Sequence, residues 1–220
     1  MGFVMGFFSS VLDIFFPPKC VFCSQILIKT DDGICSKCIE SLPYADNHGK
    51  QSGDVFDICI SPLYYTGVVR RSVLRYKFHG ASHYAGTYGE FLADCIREIP
   101  DLKFDVITWV PLSKKRERSR GYDQAMLIAK TTASVLGETA IETLIKHKDV
   151  RAQSELGDKK ERSANISGAY IVTNSEMIAG KNILLIDDVV TTSSTLEECT
   201  RVLLEAGVAE VFCAALARGE

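Results

Sequence analysis

Short apolar runs alternate along most of the chain with segments in which apolar residues recur every three or four positions. The short runs predict β-strands, and the spaced segments predict amphipathic helices. Strands are expected at 56–65, 104–110, 139–145, 169–172, 183–186 and 210–217, and helices at 68–78, 83–99, 124–136, 160–165 and 196–206. Strands separated by helices imply βαβ units, so the order predicts an α/β fold with a parallel sheet flanked by helices.

The segment 183–196 combines several features of a ligand-binding strand end. Two carboxylates, Asp187 and Asp188, follow an apolar run, and small hydroxylated side chains come next: Thr191, Thr192, Ser193, Ser194 and Thr195. Ligands of parallel α/β sheets bind where strands meet helices, and a helix N-terminus offers N–H groups to an anion. We therefore predict a phosphate site beside carboxylates that could hold vicinal hydroxyls, as in a sugar phosphate. The alternative is an ordinary strand–turn–helix junction with a Ser or Thr cap.

Basic residues cluster in two further segments. Five of them lie within seven positions after the strand predicted at 104–110: Lys114, Lys115, Arg116, Arg118 and Arg120. Together with Tyr122, Arg118 and Arg120 resemble a phosphate grip with a base-stacking neighbour. In the helix predicted at 68–78, Arg70 and Lys77 share one face. Both clusters are candidates for binding a pyrophosphate or a nucleic-acid backbone, and a solvated helix face is the alternative for each.

Four cysteines form a compact cluster near the start of the chain. Cys20 and Cys23 make one Cys-x-x-Cys pair, and Cys35 and Cys38 make another after eleven intervening residues. This spacing predicts a structural zinc site, since four thiolates complete a tetrahedral shell and leave no position open for catalysis. A reduced or redox-active cysteine cluster is the alternative. We expect an N-terminal helix and zinc-ribbon module over 1–44, a polar linker over 45–54 and the α/β domain over 55–220.

Composition and charge narrow the class of protein. The chain has 220 residues, 46% of them hydrophobic and 24% charged, with a net charge of −3. This composition is typical of a soluble globular protein, and the net charge means that nucleic-acid binding would need local basic patches. The other four cysteines lie in apolar patterns, which favours a reducing, cytoplasmic compartment. The apolar segment 1–16 is expected to be a short docking helix without a stable membrane span, with membrane-surface association as the alternative.

The motifs together resemble those of the ComF/GntX family, in which a zinc ribbon precedes a type I phosphoribosyltransferase-like domain. The matching positions are Tyr65, Gly67, Arg70 and Lys77, then Val110 and Pro111, then Arg116, Arg120, Gly121, Tyr122 and Gln124, then Gln153 and Leu156, then Asn165, Gly168 and Tyr170, and finally 187–195. The resemblance covers essentially the whole chain. The chain departs from the family pattern at Ser193, where many members have Gly, and at Asp123, where Asn is usual.

The resemblance implies a ligand and a role for each part of the site. Asp187 and Asp188, the candidate catalytic residues, would hold the ribose hydroxyls of phosphoribosyl pyrophosphate, and the residues at 191–195 would surround its 5-phosphate. Mg²⁺ would accompany the ligand. The basic residues of both clusters, together with Tyr122 and Gln124, would bind its pyrophosphate or a nucleic acid.

The resemblance also implies a cytoplasmic competence protein that takes part in DNA uptake during natural transformation. Single-stranded DNA and a competence DNA translocase or helicase are the implied partners. Three hypotheses follow: a protein that binds phosphoribosyl pyrophosphate and single-stranded DNA, an active phosphoribosyltransferase of nucleotide or amine metabolism with an unknown acceptor, and a regulator that senses phosphoribosyl pyrophosphate. We favour the first, because a basic patch and an aromatic residue occur without a recognisable acceptor site.

Overall fold

A parallel sheet forms the centre of the fold in the computed structural model, which describes residues 17–28, 32–100, 102–148 and 167–219. The apolar segment 1–16, the short helix expected at 160–165 and the motif residues Gln153, Leu156 and Asn165 lie outside the described residues. The strands of this sheet are β1 (Cys59–Ile60), β2 (Leu63–Tyr64), β3 (Val106–Trp109), β6 (Asn182–Val190) and β7 (Glu210–Arg218).

All pairings within this sheet are parallel, which confirms the predicted fold class. The order across the sheet is β1, β7, β6 and β3, and β2 also pairs with β7, farther along that strand than β1. The single strand expected at 56–65 is therefore two short strands. Pro62 lies between them, and a proline has no N–H group to donate to the strand ladder.

The helices in the described part of the chain cover both faces of the sheet. They are α1 (Ser36–Ser41), α2 (Gly67–Phe78), α3 (Tyr84–Arg97), α4 (Lys114–Arg120), α5 (Gln124–Leu136), α6 (Ser175–Ile178) and α7 (Ser194–Glu205). Alternate residues of a strand point to opposite faces. In β6, Leu184 and Ile186 join a core with α2, α3 and α5, whereas Ile183 and Leu185 join a core with α7.

Strands β4 (Leu144–Lys146) and β5 (Tyr170–Val172) form a separate antiparallel ribbon, although both were expected in the parallel sheet. In each strand the first residue is buried, while the central residues Ile145 and Ile171 are exposed. A strand with one covered face is typical of antiparallel pairing, because parallel strands are normally buried on both faces.

The segment expected as a linker at 45–54 is hydrogen-bonded to the start of the sheet. The N–H of Ala45 donates to the carbonyl of Pro62 at 2.8 Å, and the N–H of Ser61 donates to the carbonyl of His48 at 2.8 Å. Gln51 pairs with Cys59 in an antiparallel bridge. The division of the chain into domains at 44 and 55 stays a prediction. No helix in the described parts of the chain is both long enough and apolar enough to cross a membrane.

Candidate functional site

A cavity of about 870 Å³ opens where β3 and β6 end and helices α2, α4 and α7 begin or end. Its volume lies in the range of small-molecule binding sites. Eight of the residues predicted to bind ligand line it: Arg70, Lys77, Arg116, Arg120, Gln124, Asp187, Asp188 and Thr195. The fold therefore brings together residues that lie more than one hundred positions apart in the sequence.

Asp187 and Asp188 lie within β6, because this strand continues to Val190 and not only to Ile186 as expected. Since neighbouring strand residues point to opposite faces, Asp188 lies on the α2 side of the sheet and Asp187 on the α7 side. The Nζ atom of Lys77 lies 2.8 Å from Oδ1 of Asp188 in an ion pair. The N–H of Asp188 donates a hydrogen bond of 2.7 Å to Oδ1 of Asp187.

The two carboxylates differ in their electrostatic surroundings. Burial and the adjacent charge of Asp188 raise the pKa of Asp187 to about 7, and the ammonium of Lys77 only partly opposes this rise. Desolvation and like charge both disfavour the ionised form of a carboxyl group. Near neutral pH, Asp187 is consequently a group that can take up or release a proton when its surroundings change.

The elevated pKa of Asp187 predicts a pH-dependent stability difference between the wild-type protein and Asp187→Asn. The folded pKa lies above the unfolded value of 3.8, so the folded protein binds this proton more tightly and the stability that the proton gives is lost as the pH rises from about 4 to about 7. Asn cannot ionise, and its amide oxygen can still accept from the N–H of Asp188. Each kcal/mol by which the substitution raises the free energy of unfolding corresponds to about 2 to 4 °C in Tm.

We therefore expect Asp187→Asn to melt several degrees higher than the wild-type protein at pH 8, with the difference shrinking toward pH 5. Thermal unfolding followed by circular dichroism at four pH values between 5 and 8 measures it. A difference in Tm that does not change with pH would show that Asp187 keeps an ordinary pKa.

The hydroxyl-rich loop (191–195) follows β6 and includes the first two residues of α7. The buried hydroxyl oxygens of Thr192 and Ser194 have no hydrogen-bond partner in the described structure, and no side chain caps the first turn of α7. Of the five residues predicted to bind phosphate, Thr195 lines the cavity, whereas Thr191, Thr192, Ser193 and Ser194 do not. Ser193 has φ −60° and ψ −5°, an ordinary helical conformation, so this departure from Gly costs no backbone strain. Unpaired hydroxyl and N–H donors at a helix start suit an anionic oxygen.

Helix α4 divides the basic run between two faces. Arg116 and Arg120, four positions apart, line the cavity, whereas Lys114 and Arg118 are exposed and do not line it. Residues four apart lie on the same face of a helix, which explains both pairs. The sequence predicted all four as binding residues, because it predicted no helix bounds for the basic run and could not separate its two faces.

A sharp turn between α4 and α5 orients Arg120 and Gln124. Gly121 ends α4 with φ +84°, a conformation that glycine adopts at little cost. Asp123 caps α5 by accepting from the N–H groups of Leu112 at 2.7 Å and Met126 at 3.0 Å. The guanidinium of Arg120 donates to Oε1 of Gln124 at 2.6 Å. The charge of Asp123 is thus held by backbone donors, a capping role that Asn also performs.

Tyr122 does not line the cavity, although the sequence predicted a base-stacking role for it. Its hydroxyl donates to the carbonyl of Tyr76, and its ring lies 5.6 Å from the ring of Tyr76. Phe78, which sequence reasoning missed, lines the cavity and is 60% exposed as a residue. Its position next to Lys77, at the polar end of an amphipathic helix, is the sequence signal that could have identified it.

The four clustered cysteines form a candidate metal centre. Their sulfur atoms all lie within 4.8 Å of one another, and the Sγ atoms of Cys23 and Cys35 are 3.6 Å apart. A tetrahedral zinc ion with Zn–S bonds of about 2.3 Å needs sulfur atoms at roughly this separation. The residues therefore fit the predicted structural zinc site, with no further ligand required.

The cysteine turn at 20–23 is hydrogen-bonded to the helix that carries Lys77. The guanidinium of Arg75 donates to the carbonyl of Val21 at 2.9 Å and to that of Phe22 at 2.6 Å. The hydroxyl of Ser72 also donates to the carbonyl of Val21. Phe22 is fully buried. These contacts fix the orientation of α2 relative to the cysteine cluster.

Comparison with known proteins agrees with this architecture. Residues 123–220 match the family model of the phosphoribosyl transferase domain, and residues 11–59 match that of the double zinc ribbon domain. A solved structure titled "structure of the allosteric regulatory enzyme of purine biosynthesis" is similar in fold, with 20% identity and a TM-score of 0.45. The superposed region covers 65% of this chain and 30% of the chain in that structure.

Competence proteins are among the curated relatives. The chain is 31% identical over 147 residues to competence protein ComFC of Bacillus subtilis (strain 168). The aligned region covers 66% of this chain and 57% of that protein, so the chain spans less than two thirds of the length of this relative. The chain is also 27% identical over 226 residues to competence protein F of Haemophilus influenzae, and the aligned region covers 93% of this chain and 98% of that protein.

The fold and the cysteine cluster define a phosphoribosyltransferase-like protein with a zinc ribbon. The competence relatives and the two matching domain models support a relationship to the ComF family.

Proposed function

We propose that this protein binds phosphoribosyl pyrophosphate in the cavity and single-stranded DNA along its basic rim, as a cytoplasmic component of DNA uptake in natural transformation. The observation that carries the proposal is the meeting of two carboxylates, Thr195 at the start of α7 and several cationic side chains around one cavity. The names of its competence relatives support the cellular process. A competence DNA translocase or helicase is the partner that this process requires.

Each chemical group of phosphoribosyl pyrophosphate has a counterpart in the cavity. Asp187 and Asp188 supply carboxylate acceptors for the ribose hydroxyls. Thr195, which lines the cavity, and the N–H groups of the α7 N-terminus would bind the 5-phosphate. Lys77 and Arg116 provide positive charge for the pyrophosphate.

Binding requires Lys77 to rearrange. Its ammonium lies 2.8 Å from Asp188, the carboxylate proposed to hold the ribose. A ribose hydroxyl that donates to Asp188 would replace the ammonium, which would then be available to the pyrophosphate. The ion pair thus keeps both groups satisfied until the ligand, which needs both of them, arrives.

Mg²⁺ fits this arrangement as a companion of the ligand. It prefers substrate phosphate oxygens together with one or two carboxylates, and Asp187 and Asp188 both line the cavity. When bound, the ion would neutralise part of the pyrophosphate charge. The surrounding arginine and lysine side chains would share in this.

An active phosphoribosyltransferase is the second candidate. The cavity of about 870 Å³ would hold a nucleophilic acceptor beside the sugar phosphate. In that case Asp187 and Asp188 would position the ribose, and Arg116 and Arg120 would stabilise the charge on the departing pyrophosphate. Pyrophosphate release that depends on an added acceptor distinguishes this activity from binding alone.

Calorimetric titration with phosphoribosyl pyrophosphate, with and without Mg²⁺, tests the proposal. We expect saturable binding that Mg²⁺ strengthens, whereas ribose 5-phosphate should bind more weakly because it lacks the pyrophosphate. Heat that does not saturate with phosphoribosyl pyrophosphate under either condition would contradict the assignment of the cavity.

The two faces of α4 provide a matched test of DNA binding. We expect the pair Arg116→Ala and Arg120→Ala to lower affinity for oligothymidylate at least about tenfold and to reduce the salt slope by about 1.4, since each phosphate contact with a single strand contributes about 0.7. The pair Lys114→Ala and Arg118→Ala removes the same charge from the exposed face. Fluorescence anisotropy over a salt series measures both.

The exposed-face pair should have a clearly smaller effect on affinity and on the salt slope. Equal effects of the two pairs would mean that the basic run acts as a diffuse positive surface, without a role for the cavity.

A further inference from the structure

Phe78 is an exposed aromatic residue at a position that does not pack into the core. It is the last residue of α2, it lines the cavity, and it is 60% exposed as a residue. Within the described residues, Tyr44 is the other exposed large aromatic, and it stacks on Phe91 away from the cavity. Because exposing an aromatic ring costs hydrophobic free energy, Phe78 requires an explanation outside the core.

A charged group lies over the ring of Phe78. The guanidinium carbon of Arg120 is 4.9 Å from the ring centroid, and the same guanidinium is anchored to Gln124 at 2.6 Å. Arg120 therefore covers one face of the Phe78 ring, and a base would stack on the opposite face. A planar arginine and an aromatic ring are the two kinds of side chain on which nucleobases stack.

The surroundings of this pair suit a nucleotide unit. Leu74, Pro111 and Leu112 provide apolar cavity wall, while Arg70 and Lys77 provide positive charge on the same helix as Phe78. A base on the ring would consequently have cationic side chains nearby for its phosphates. A ring that lines a cavity and is also mostly exposed lies where the cavity meets solvent, so a strand can cross it without being enclosed.

We propose that Phe78 and Arg120 form a stacking platform for a base of single-stranded DNA at the mouth of the cavity. This inference rests on the proposed function, of which it identifies the aromatic contact. It also replaces Tyr122, whose ring and hydroxyl are held by α2. Stacking accepts any base, which suits a protein that handles DNA of arbitrary sequence.

Two fluorescent oligomers of equal length and charge test the platform: oligothymidylate of twelve nucleotides and an abasic phosphodiester strand of the same length. Their affinities for the full-length protein isolate the contribution of the bases. We expect the wild-type protein to bind oligothymidylate more tightly, and Phe78→Ala to lower that affinity about tenfold, the loss typical of one base–aromatic contact. Affinity for the abasic strand should not change.

Three comparisons control the experiment. Phe78→Trp should keep the wild-type affinity for oligothymidylate, because it keeps a stacking surface. Tyr44→Ala, which removes the exposed aromatic outside the cavity, should leave both affinities unchanged. Thymidine monophosphate separates the sources of the base: if Phe78→Ala weakens only this free nucleotide and not oligothymidylate, the platform serves a small acceptor and the assignment to DNA is wrong.

The outcomes separate this proposal from the proposed function. If the wild-type protein binds both strands equally, the platform is overturned while backbone binding of DNA stands. If it binds neither strand, DNA binding itself fails and the platform fails with it, whatever the calorimetry with phosphoribosyl pyrophosphate gives. Equal weakening of both strands by Phe78→Ala would show a loss of cavity shape and also overturn stacking.

Discussion

Asp188→Asn is expected to weaken binding of phosphoribosyl pyrophosphate by about 10- to 100-fold, as befits the loss of a charged acceptor worth about 1.5–3 kcal/mol. The substitution keeps the shape of the side chain but removes the charge that a ribose hydroxyl would contact. It also breaks the ion pair with Lys77, whose ammonium lies 2.8 Å from the carboxylate. Calorimetric titration in Mg²⁺ measures the change in Kd.

A surface ion pair offers a control of the same chemistry. Asp94 lies 2.9 Å from Arg97 on α3, is mostly exposed and is outside the cavity. Asp94→Asn should leave the Kd for phosphoribosyl pyrophosphate unchanged, because exposed ion pairs contribute little to stability. If Asp188→Asn binds like the wild-type protein, Asp188 does not hold the ribose.

The stability of the two aspartate variants should differ in an informative way. Asp187→Asn relieves a desolvated charge and is expected to raise Tm at pH 8, whereas Asp188→Asn deprives Lys77 of its partner. A partly buried ammonium without a counter-charge is unfavourable. Binding sites that hold like charges close together, as Asp187 and Asp188 are held here, commonly lower the stability of the folded protein.

The sequence predicted local features more accurately than contacts between distant segments. Helix α5 begins and ends at Gln124 and Leu136, as expected, because Asp123 and Gly137 are strong cap residues on either side. The parallel sheet also followed from the alternation of apolar runs and helices. These features depend on residues close together in the sequence.

The direction of side chains and the pairing of strands could not be predicted from local sequence patterns. The basic run was expected as one cluster, but its helical conformation sends Arg116 and Lys114 to different surroundings. Likewise, short strands β4 and β5 carry the same residue types as strands of a parallel sheet. Their antiparallel pairing depends on where the chain returns, which no local pattern encodes.

The hydroxyl-rich loop illustrates both cases. Its residue types predicted an anion site, and the structure leaves Thr192 and Ser194 with unpaired hydroxyls within the described residues. The effect of Ser193 in place of Gly depended on a backbone conformation that the sequence did not reveal. With φ −60° the position accepts any residue, so this departure does not weaken the case for the loop.

Removal of zinc is expected to abolish binding of phosphoribosyl pyrophosphate, although no cysteine lies in the cavity. The carbonyl groups of Val21 and Phe22 accept hydrogen bonds from Arg75 on α2, the helix that also carries Lys77. Without the metal, the cysteine turn loses the cross-link that fixes these carbonyls. Leaving the donors unpaired costs about 1–3 kcal/mol each, so Tm should fall by about 10 °C or more.

Cys38→Ser, with zinc content measured by atomic absorption, provides the zinc-deficient protein, and its Tm and its Kd for phosphoribosyl pyrophosphate are compared with those of the wild type. Arg75→Met separates loss of positioning from loss of folding, because it removes the donors to the cysteine turn but leaves all four ligands in place. We expect this variant to retain zinc, to melt only a few degrees lower and still to bind the ligand several-fold more weakly. A zinc-free protein that stays folded and binds with the wild-type Kd would show that the zinc ribbon does not position α2. In that case the hydrogen bonds from Arg75 would serve stability alone, and the cavity would be an independent property of the phosphoribosyltransferase-like domain.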